Sequence, residues 1–403
     1  MASICQPSLV LSGFLCYIFV PIYFHSGPGT IPDYTAINTE NRDPDRDLIG
    51  LSATQRGLYA TQTCISDHGQ ILITMERRLP ERALHGGLAR REQDEDGWID
   101  FSANLNPYPP RIDWTPDLAC LEHYPDDRYP ALKEEVARVF GRHVDEVTVG
   151  NGSIEVIRAF CIAAIGPGDR ACIDRPTFGE YRFAAELAGA RVTPDAGGAD
   201  VLFLCNPNNP TGALLGRPEI EEIFTGIGDD ARLFVDEAFI ELADPSFSML
   251  GSDDDRVFVL RSMTKAFAVP GLRLGFGFGD PDIVERCERC RAPWSVNAFA
   301  EAFALEALRH YPALEESRRQ IRAERARLEA GLADLGFATM PASANFICAT
   351  SPVPPALLAS GLARRRIRIR DCASFGLPAE VRVAVRRRDE NQRLLEELAA
   401  CLA

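Results

Sequence analysis

Of the 43 basic side chains in this chain, two are lysines, Lys133 and Lys265. Arginine stays protonated and cannot serve as an amine nucleophile, whereas lysine can lose its proton and form a Schiff base with an aldehyde. Lys133 lies in an amphipathic helical pattern and is expected to be a solvated charge. Lys265 follows the apolar run 257–260, has hydroxyl residues before it, and precedes Arg273 by eight positions. The sequence therefore favours Lys265 as the amine for an aldehyde cofactor that bears a phosphate.

Three further polar signals follow short apolar runs. Asp236 ends the run 233–236, and a carboxylate buried there would need a cation beside it. The loop 206–212 contains three asparagines and two prolines, a composition that also suits an ordinary turn. The turn 150–153 opens a helix, where backbone N–H groups and the helix dipole can hold a phosphate. Each signal is modest alone, and their order along the chain makes the combination specific.

Strand and helix patterns alternate from residue 130 onward. Helices are predicted at 131–140, 154–165 and 390–402, with a long helical region at 298–335 that Pro312 interrupts. Strands are predicted at 147–149, 170–173, 191–193, 201–205, 233–236, 257–260, 274–278, 345–349, 367–369 and 381–385. Interleaved strands and helices predict an α/β fold, with a mostly parallel sheet between helices and a smaller α+β domain. In such sheets ligands bind at the carboxyl ends of the strands, where the polar signals lie.

Length, net charge and cysteine content limit the kinds of protein that this chain can be. The chain has 403 residues and a net charge of −15, and 46% of its residues are hydrophobic. A soluble globular protein of roughly two domains fits this length and composition, and the acidic balance argues against a nucleic-acid partner. Twelve cysteines show no regular framework, and Cys287 and Cys290 form an isolated pair in a helical setting. We therefore expect reduced thiols, no metal and a cytoplasmic location.

Residues 1–74 differ in character from the rest. The apolar stretch 9–24 is short for a membrane span and contains Pro21, and no basic residue precedes it. Residues 25–74 are polar and aperiodic, which predicts disorder. Globular patterning begins at Met75, so an extended reading frame upstream of a natural start at Met75 is our preferred interpretation. A membrane-tethered enzyme is the alternative, although no membrane partner is expected.

Together these motifs resemble the fold-type-I pyridoxal 5'-phosphate (PLP) enzymes of the class I/II aminotransferase group, over about residues 80–400. The resemblance implies that Lys265 forms the Schiff base with PLP and that Asp236 keeps its pyridine nitrogen protonated. It also implies the following cofactor contacts: Asn209 with the ring hydroxyl, Phe178 stacked on the ring, and Ser153, Ile154, Ser262 and Arg273 around the phosphate.

The resemblance also implies a homodimer, because Tyr124 is similar to the tyrosine that reaches the cofactor phosphate of the neighbouring subunit. The chain departs from the group at Phe239, where many members have a tyrosine, so a second hydroxyl near the ring oxygen is missing. The implied organisation is an N-terminal segment at 75–124 packed on the small domain, a large PLP-binding domain at 125–297 and a small domain at 298–403.

Within this group the sequence is most similar to the L-threonine-O-3-phosphate decarboxylases of cobalamin biosynthesis. The likeness rests on residues 85–87, 100–107, 293–297, 369–372 and 381–386. It implies a phosphorylated amino-acid substrate, with His85, Arg370, Arg382 and Asn209 as candidate ligands. Histidinol-phosphate aminotransferases share the core motifs and stay open as the alternative, and so does a non-catalytic relative. The residues do not decide which arginine binds the carboxylate and which the phosphate.

Overall fold

The computed structural model describes residues 58–65, 71–77 and 79–403. The strands within these ranges are β1 (Leu58–Ile65), β2 (Ile71–Arg77), β3 (Ile99–Asp100), β4 (Val147–Gly150), β5 (Arg170–Ile173), β6 (Arg191–Thr193), β7 (Val201–Cys205), β8 (Arg232–Asp236), β9 (Val257–Ser262), β10 (Gly275–Phe278), β11 (Ala338–Thr339), β12 (Phe346–Thr350), β13 (Ile367–Arg368), β14 (Arg370–Asp371) and β15 (Glu380–Ala384). The α-helices are α1 (Arg90–Gln93), α2 (Pro130–Phe140), α3 (Ser153–Ala164), α4 (Gly179–Ala188), α5 (Arg217–Thr225), α6 (Met263–Ala266), α7 (Pro281–Cys290), α8 (Ala298–Arg309), α9 (Leu314–Asp334), α10 (Pro355–Ala363) and α11 (Arg388–Leu402).

Seven strands form the main sheet, in the order β4-β10-β9-β8-β7-β5-β6. The pairs among β6, β5, β7, β8 and β9 are parallel, and β10 runs antiparallel to both of its neighbours. The predicted α/β class and mostly parallel sheet are therefore confirmed. Because the parallel strands all end at one edge, the residues that follow β7, β8 and β9 gather there.

Both faces of the sheet are covered, because successive side chains of a strand point to opposite faces. Along β8, Leu233 and Val235 belong to one hydrophobic cluster and Phe234 to the other. Along β9, Val259 and Phe258 divide in the same way. This double burial explains why these strands read as continuous apolar runs rather than alternating ones.

The small sheet has four antiparallel strands in the order β11-β12-β15-β14. Residues 99–108 pack against this part of the molecule. β3 pairs with β13 in parallel, Ser317 Oγ donates to the carbonyl of Tyr108 at 2.6 Å, and Asn345 Nδ2 donates to the carbonyl of Leu105 at 3.1 Å. These contacts support the expected packing of the N-terminal segment, and the domain limits at 124 and 297 stay predictions.

Two local expectations differ from the structure, and one is confirmed. The strand predicted at 367–369 is split, because β13 pairs with β3 while β14 pairs with β15, so the chain changes sheets at Ile369. Helices α8 and α9 are separated by a 3₁₀ turn at Tyr311–Ala313, as Pro312 predicted. In the segment expected to be disordered, β1 and β2 form an antiparallel pair. The remainder of 1–74, including the apolar stretch 9–24, lies outside the described residues.

Lys133 is not the solvated charge that the helical pattern suggested. Its Nζ lies 3.1 Å from Glu288 Oε2 on α7, and its side chain is only 14% exposed. Thr148 Oγ1 donates to the other oxygen of Glu288 at 2.5 Å. The pair forms because α2 and α7 meet beside β4, an arrangement that a single-helix pattern cannot predict. In the described ranges, none of the helices is long and apolar enough to cross a membrane.

Candidate active site

Lys265 lies in the short helix α6, directly after the buried strand β9. Asn106 secures this helix, because its backbone N–H donates to the carbonyl of Lys265 at 3.1 Å and its side chain donates to the carbonyl of Ala266 at 2.8 Å. Burial, together with the positive charges of Arg382 and Arg273, lowers the pKa of Lys265 to about 8. A larger fraction of the amine is therefore neutral near neutral pH than for an ordinary lysine, which favours both a Schiff base and proton transfer.

Asp236 ends β8 with its carboxylate buried at 4% exposure. Tyr181 OH donates to Oδ2 at 2.6 Å, and the N–H of Ala238 donates to Oδ1 at 2.9 Å. Burial raises the pKa of Asp236, and these two hydrogen bonds act in the opposite direction. A positively charged ring nitrogen beside this carboxylate would offset the cost of its burial. Sequence reasoning missed Tyr181, because a tyrosine inside a helix pattern reads as ordinary core.

The three asparagines after β7 make different hydrogen bonds. Asn206 closes the loop by accepting from the N–H of Leu215 at 2.8 Å, and Asn208 donates to the carbonyl of Pro176 at 2.9 Å. Asn209 instead accepts a hydrogen bond from Arg382 Nη1. Arg382 lies on β15, 173 residues further along the chain, so this contact joins the large sheet to the small one.

Arg382 is 5% exposed and also donates from Nη2 to the carbonyl of Ser102 at 2.9 Å. Burial lowers its pKa to about 10, and nearby Arg370 contributes in the same direction. Arg370 lies directly across from Arg382 in the register of β14 and β15. Two guanidinium groups on adjacent strands create a local positive potential, which suits an anionic substrate despite the acidic whole chain.

A compact group of donors surrounds the start of α3. Gly152, Ser153 and Ile154 open this helix, and Arg273 lies so close to Gly152 that a Cβ there would overlap its guanidinium. A Cβ at Gly275 would likewise lie 2.5 Å from the backbone nitrogen of Ser153. Both glycines are needed because a side chain at either position would fill the space between helix, strand and arginine.

Tyr124 lies apart from this group on the surface. Its side chain is 81% exposed, and its ring lies 4.7 Å from that of Trp294. Leu118 and Leu121 nearby in sequence are also large, exposed apolar residues. Within the described residues, the sequence-predicted cofactor contacts thus come together at the carboxyl edge of the sheet, except for Tyr124.

Comparison with known proteins shows the family to which this chain belongs. The profile of the family "Aminotransferase class I and II" matches residues 97–196 and 193–398. The chain belongs to the class I and II aminotransferase family. The histidinol-phosphate aminotransferase of Symbiobacterium thermophilum is 34% identical over 303 residues, 71% of this chain and 84% of that protein. The threonine-phosphate decarboxylase of Salmonella typhimurium is 34% identical over 353 residues, 78% of this chain and 96% of that protein.

A solved structure of a family member has a similar fold. The histidinol-phosphate aminotransferase from Clostridium acetobutylicum has a TM-score of 0.66 and 28% identity, covering 75% of this chain and 99% of its own. The fold is the fold-type-I fold of PLP-dependent aminotransferases, as the sequence predicted, and this family member is PLP-dependent.

The residues present fit PLP. The hydroxyls of Ser262 and Thr264 are buried, and neither has a hydrogen-bond partner among the described residues. A phosphate beside Arg273 and the start of α3 would supply acceptors for such donors. Phe178 is partly buried in the cluster that covers one face of the sheet. Phe239 lies where the family pattern has its tyrosine, with its ring centre 5.8 Å from Lys265 Nζ.

The expected substrate side is assembled from the N-terminal segment and the small domain. Arg370 Nη2 donates to the carbonyl of Leu84 at 2.8 Å and to Ser374 Oγ at 2.7 Å. His85 is exposed on the large-domain side, where its Nε2 lies 2.8 Å from Glu180 Oε1. The structure therefore brings His85, Arg370 and Arg382 to one region, although their sequence positions span almost 300 residues.

Proposed function

We propose that this protein catalyses the PLP-dependent decarboxylation of L-threonine O-3-phosphate to (R)-1-aminopropan-2-ol O-phosphate, a step of cobalamin biosynthesis. The supporting observation is the position of the segment 84–87, which carries the His-Gly-Gly motif. Arg370 donates to its carbonyls at Leu84 and His85. The N–H of Gly87 donates to Ser102 Oγ at 2.8 Å, and the carbonyl of the same serine accepts from Arg382.

This arrangement supports a substrate that carries two anionic groups. One imidazole and two guanidinium groups border the same region, and each charge-assisted hydrogen bond contributes roughly 1.5–3 kcal/mol. L-Threonine O-3-phosphate presents a carboxylate and a phosphate to such a set. We propose that Arg370 and Arg382 hold these two groups between them and that His85 assists at the phosphate.

When bound, PLP supplies a π-system that accepts the electrons of a bond broken at the substrate Cα. We propose that Asp236 holds a proton on the ring nitrogen and that Asn209 binds the ring oxygen. Ser153, Ile154, Ser262 and Arg273 would bind the cofactor phosphate. Arg382 would bind the substrate carboxylate and orient it for the loss of CO₂. Lys265, with its lowered pKa, returns a proton to Cα after CO₂ has left.

A second candidate is amino transfer from histidinol phosphate. The 34% identity to the Symbiobacterium thermophilum aminotransferase favours it. Histidinol phosphate, like L-threonine O-3-phosphate, also carries a phosphate group. The Salmonella typhimurium decarboxylase is 34% identical as well, so sequence identity alone does not separate the two activities, and the contacts of residues 84–87 carry our proposal. In decarboxylation the amine stays on the product, whereas transamination needs a 2-oxo acid to accept it.

Product analysis separates the candidates. With L-threonine O-3-phosphate alone we expect CO₂ release and aminopropanol phosphate formation, without any 2-oxo acid. Acceptor-dependent turnover of histidinol phosphate, with no CO₂ from threonine phosphate, would establish the second candidate instead. A purified protein that lacks cofactor absorbance and both activities would indicate a non-catalytic relative.

We also propose a homodimer in which Tyr124 contributes to the partner's cofactor site. The support is a large aromatic side chain that is 81% exposed, with the exposed Leu118 and Leu121 close by in sequence, since such residues mark contact surfaces. Mixing inactive Lys265→Ala subunits with Tyr124→Phe subunits should raise activity above that of either parent, because one hybrid site keeps both residues. Absence of complementation, or a monomer in sedimentation, would contradict the shared site.

We propose a cytoplasmic location as well. The nine cysteines within residues 79–403 are all free. Free, partly buried thiols in this number suit a reducing compartment.

A further inference from the structure

His85 is held by a buried carboxylate that no sequence motif indicated. Glu180 is the second residue of α4 and is 5% exposed. Its Oε1 lies 2.8 Å from His85 Nε2, while the His85 side chain remains 50% exposed. The rings of His85 and Phe178 lie 5.8 Å apart, so the imidazole borders the expected position of the cofactor. One edge of this imidazole is thus anchored in the large domain while part of the ring remains open to solvent.

The main chain beside His85 is secured separately. Arg370 Nη1 donates to the carbonyl of His85 at 3.3 Å and Nη2 to that of Leu84 at 2.8 Å. Gly86 lies so close to Ser102 that a Cβ would meet the serine carbonyl oxygen at 2.5 Å. With the backbone fixed in this way, the orientation of the imidazole depends on what its Nε2 contacts.

The charge of Glu180 determines which hydrogen bond forms. The hydrogen bond with His85 lowers the pKa of Glu180 and opposes the effect of its burial. An ionised carboxylate can only accept, so the proton of this bond resides on His85 Nε2. Nδ1 is then the nitrogen left for another partner.

The other ion-pair partner of Glu180 is more distant. Arg158 Nη2 lies 3.7 Å from Glu180 Oε2, beyond hydrogen-bond range, and Oε2 is buried without a hydrogen-bond partner among the described residues. A carboxylate that served only to anchor α4 would make its short contact with the arginine. Here the short contact is made to His85.

We propose that Glu180 is a positioning residue that acts through His85. By holding Nε2, it directs Nδ1 toward the phosphate of a phosphorylated amine substrate. The inference rests on the proposed function for the identity of that substrate. Glu180 itself, bonded to the far side of the ring, does not touch the substrate.

Substitution of Glu180 by glutamine tests this role, because glutamine keeps the size and removes the charge. In Glu180→Gln we expect KM for L-threonine O-3-phosphate to rise about tenfold with kcat nearly unchanged. Activity toward L-threonine, which lacks the phosphate, should not change. Glu186→Gln is the matched control, because Glu186 lies on the same helix and pairs with Arg182 at the surface; it should behave as wild type.

A double-mutant cycle distinguishes positioning from a general structural role. If Glu180 acts through His85, the double variant Glu180→Gln/His85→Ala should be no worse than His85→Ala alone. Losses that multiply, or an equal loss with L-threonine, would overturn the proposal.

Inorganic phosphate provides a measurement that does not depend on turnover. In ¹⁵N NMR spectra of the PLP-loaded enzyme, phosphate should shift the His85 Nδ1 signal, assigned by comparison with His85→Ala. Glu180→Gln should need about tenfold more phosphate for the same shift. If the glutamine variant does not fold, the wild-type titration decides, and an unresponsive Nδ1 refutes the inference.

The two kinds of failure are distinguishable. If Nδ1 responds to phosphate and Glu180→Gln weakens that response, but no CO₂ is released from threonine phosphate, the decarboxylase assignment fails and the role of Glu180 stands. If CO₂ is released and Nδ1 does not respond, the role of Glu180 fails alone.

Discussion

The proposed cofactor side and the proposed substrate side of the candidate site are built in different ways. Asp236, Lys265 and the turn at 150–153 each follow a strand of one sheet, so the sheet alone brings them together. The substrate side combines residues 84–87 and Ser102 with Arg370 and Arg382 of the small domain. The first region depends on local strand ends, and the second depends on contacts between segments almost 300 residues apart.

This difference indicates how each region should respond to change. A substitution on the cofactor side removes a chemical group from a frame that the sheet still holds. On the substrate side, a substitution also releases segments that the lost side chain had joined. We therefore expect substitutions on the cofactor side to affect mainly the chemical step, and substitutions on the substrate side to affect mainly substrate binding.

The largest effect should come from Lys265→Ala. Loss of the amine removes both covalent attachment and proton transfer, so kcat should fall by more than about a thousandfold. Borohydride reduction of the wild type should fix the cofactor on Lys265, as peptide mapping can verify. Lys133→Ala is the matched control: its Glu288 partner lies away from the site, so labelling and kcat should persist. A label on Lys133 would contradict the assignment.

Arg382→Ala should have the next largest effect. It deletes a charge-assisted contact and leaves Asn209 Oδ1 and the carbonyl of Ser102 without their donor. We expect a loss of about 2–4 kcal/mol in kcat/KM. Arg370→Ala should act similarly, because it also frees the segment at Leu84.

The double variant Arg370→Ala/Arg382→Ala tests whether the two arginines bind one substrate molecule. If both arginines hold one substrate, their combined loss should be smaller than the sum of the single losses. Strict additivity in kcat/KM would show that Arg370 and Arg382 act independently, and the substrate side would then not be one assembly.

A smaller effect concerns the pH dependence of stability in the cofactor-free protein. Folding lowers the pKa of Lys265 from its ordinary 10.5 to about 8, so between these values the unfolded chain binds more protons. Stability should therefore rise with pH across this window, by on the order of 3 kcal/mol relative to Lys265→Met. Urea titrations of both proteins from pH 7 to 10.5 would test this, and parallel profiles would contradict the burial of the amine.

Much of the large domain was predictable from sequence. Residues 170–173 and 201–205 are strands with the predicted bounds, because a strand covered on both faces is a largely apolar run. The edge strand 191–193 also has its predicted bounds. The polar residues at the ends of such runs must lie at one edge of a parallel sheet, so Asp236 and Lys265 could be proposed as candidate cofactor ligands from the sequence. Lys265 was further marked by the scarcity of lysine in the chain.

Some contacts depend on the tertiary structure and could not be predicted from the local sequence pattern. The buried pair of Lys133 and Glu288, the hydrogen bond from Tyr181 to Asp236, and the contact between Glu180 and His85 all join elements that are distant in sequence. Whether a charged or polar side chain is solvated or paired depends on which element packs over it, and periodicity reports only which face is apolar. Sequence thus determined the fold and the candidate cofactor ligands, whereas the partners that orient the substrate side emerged only from packing between distant segments.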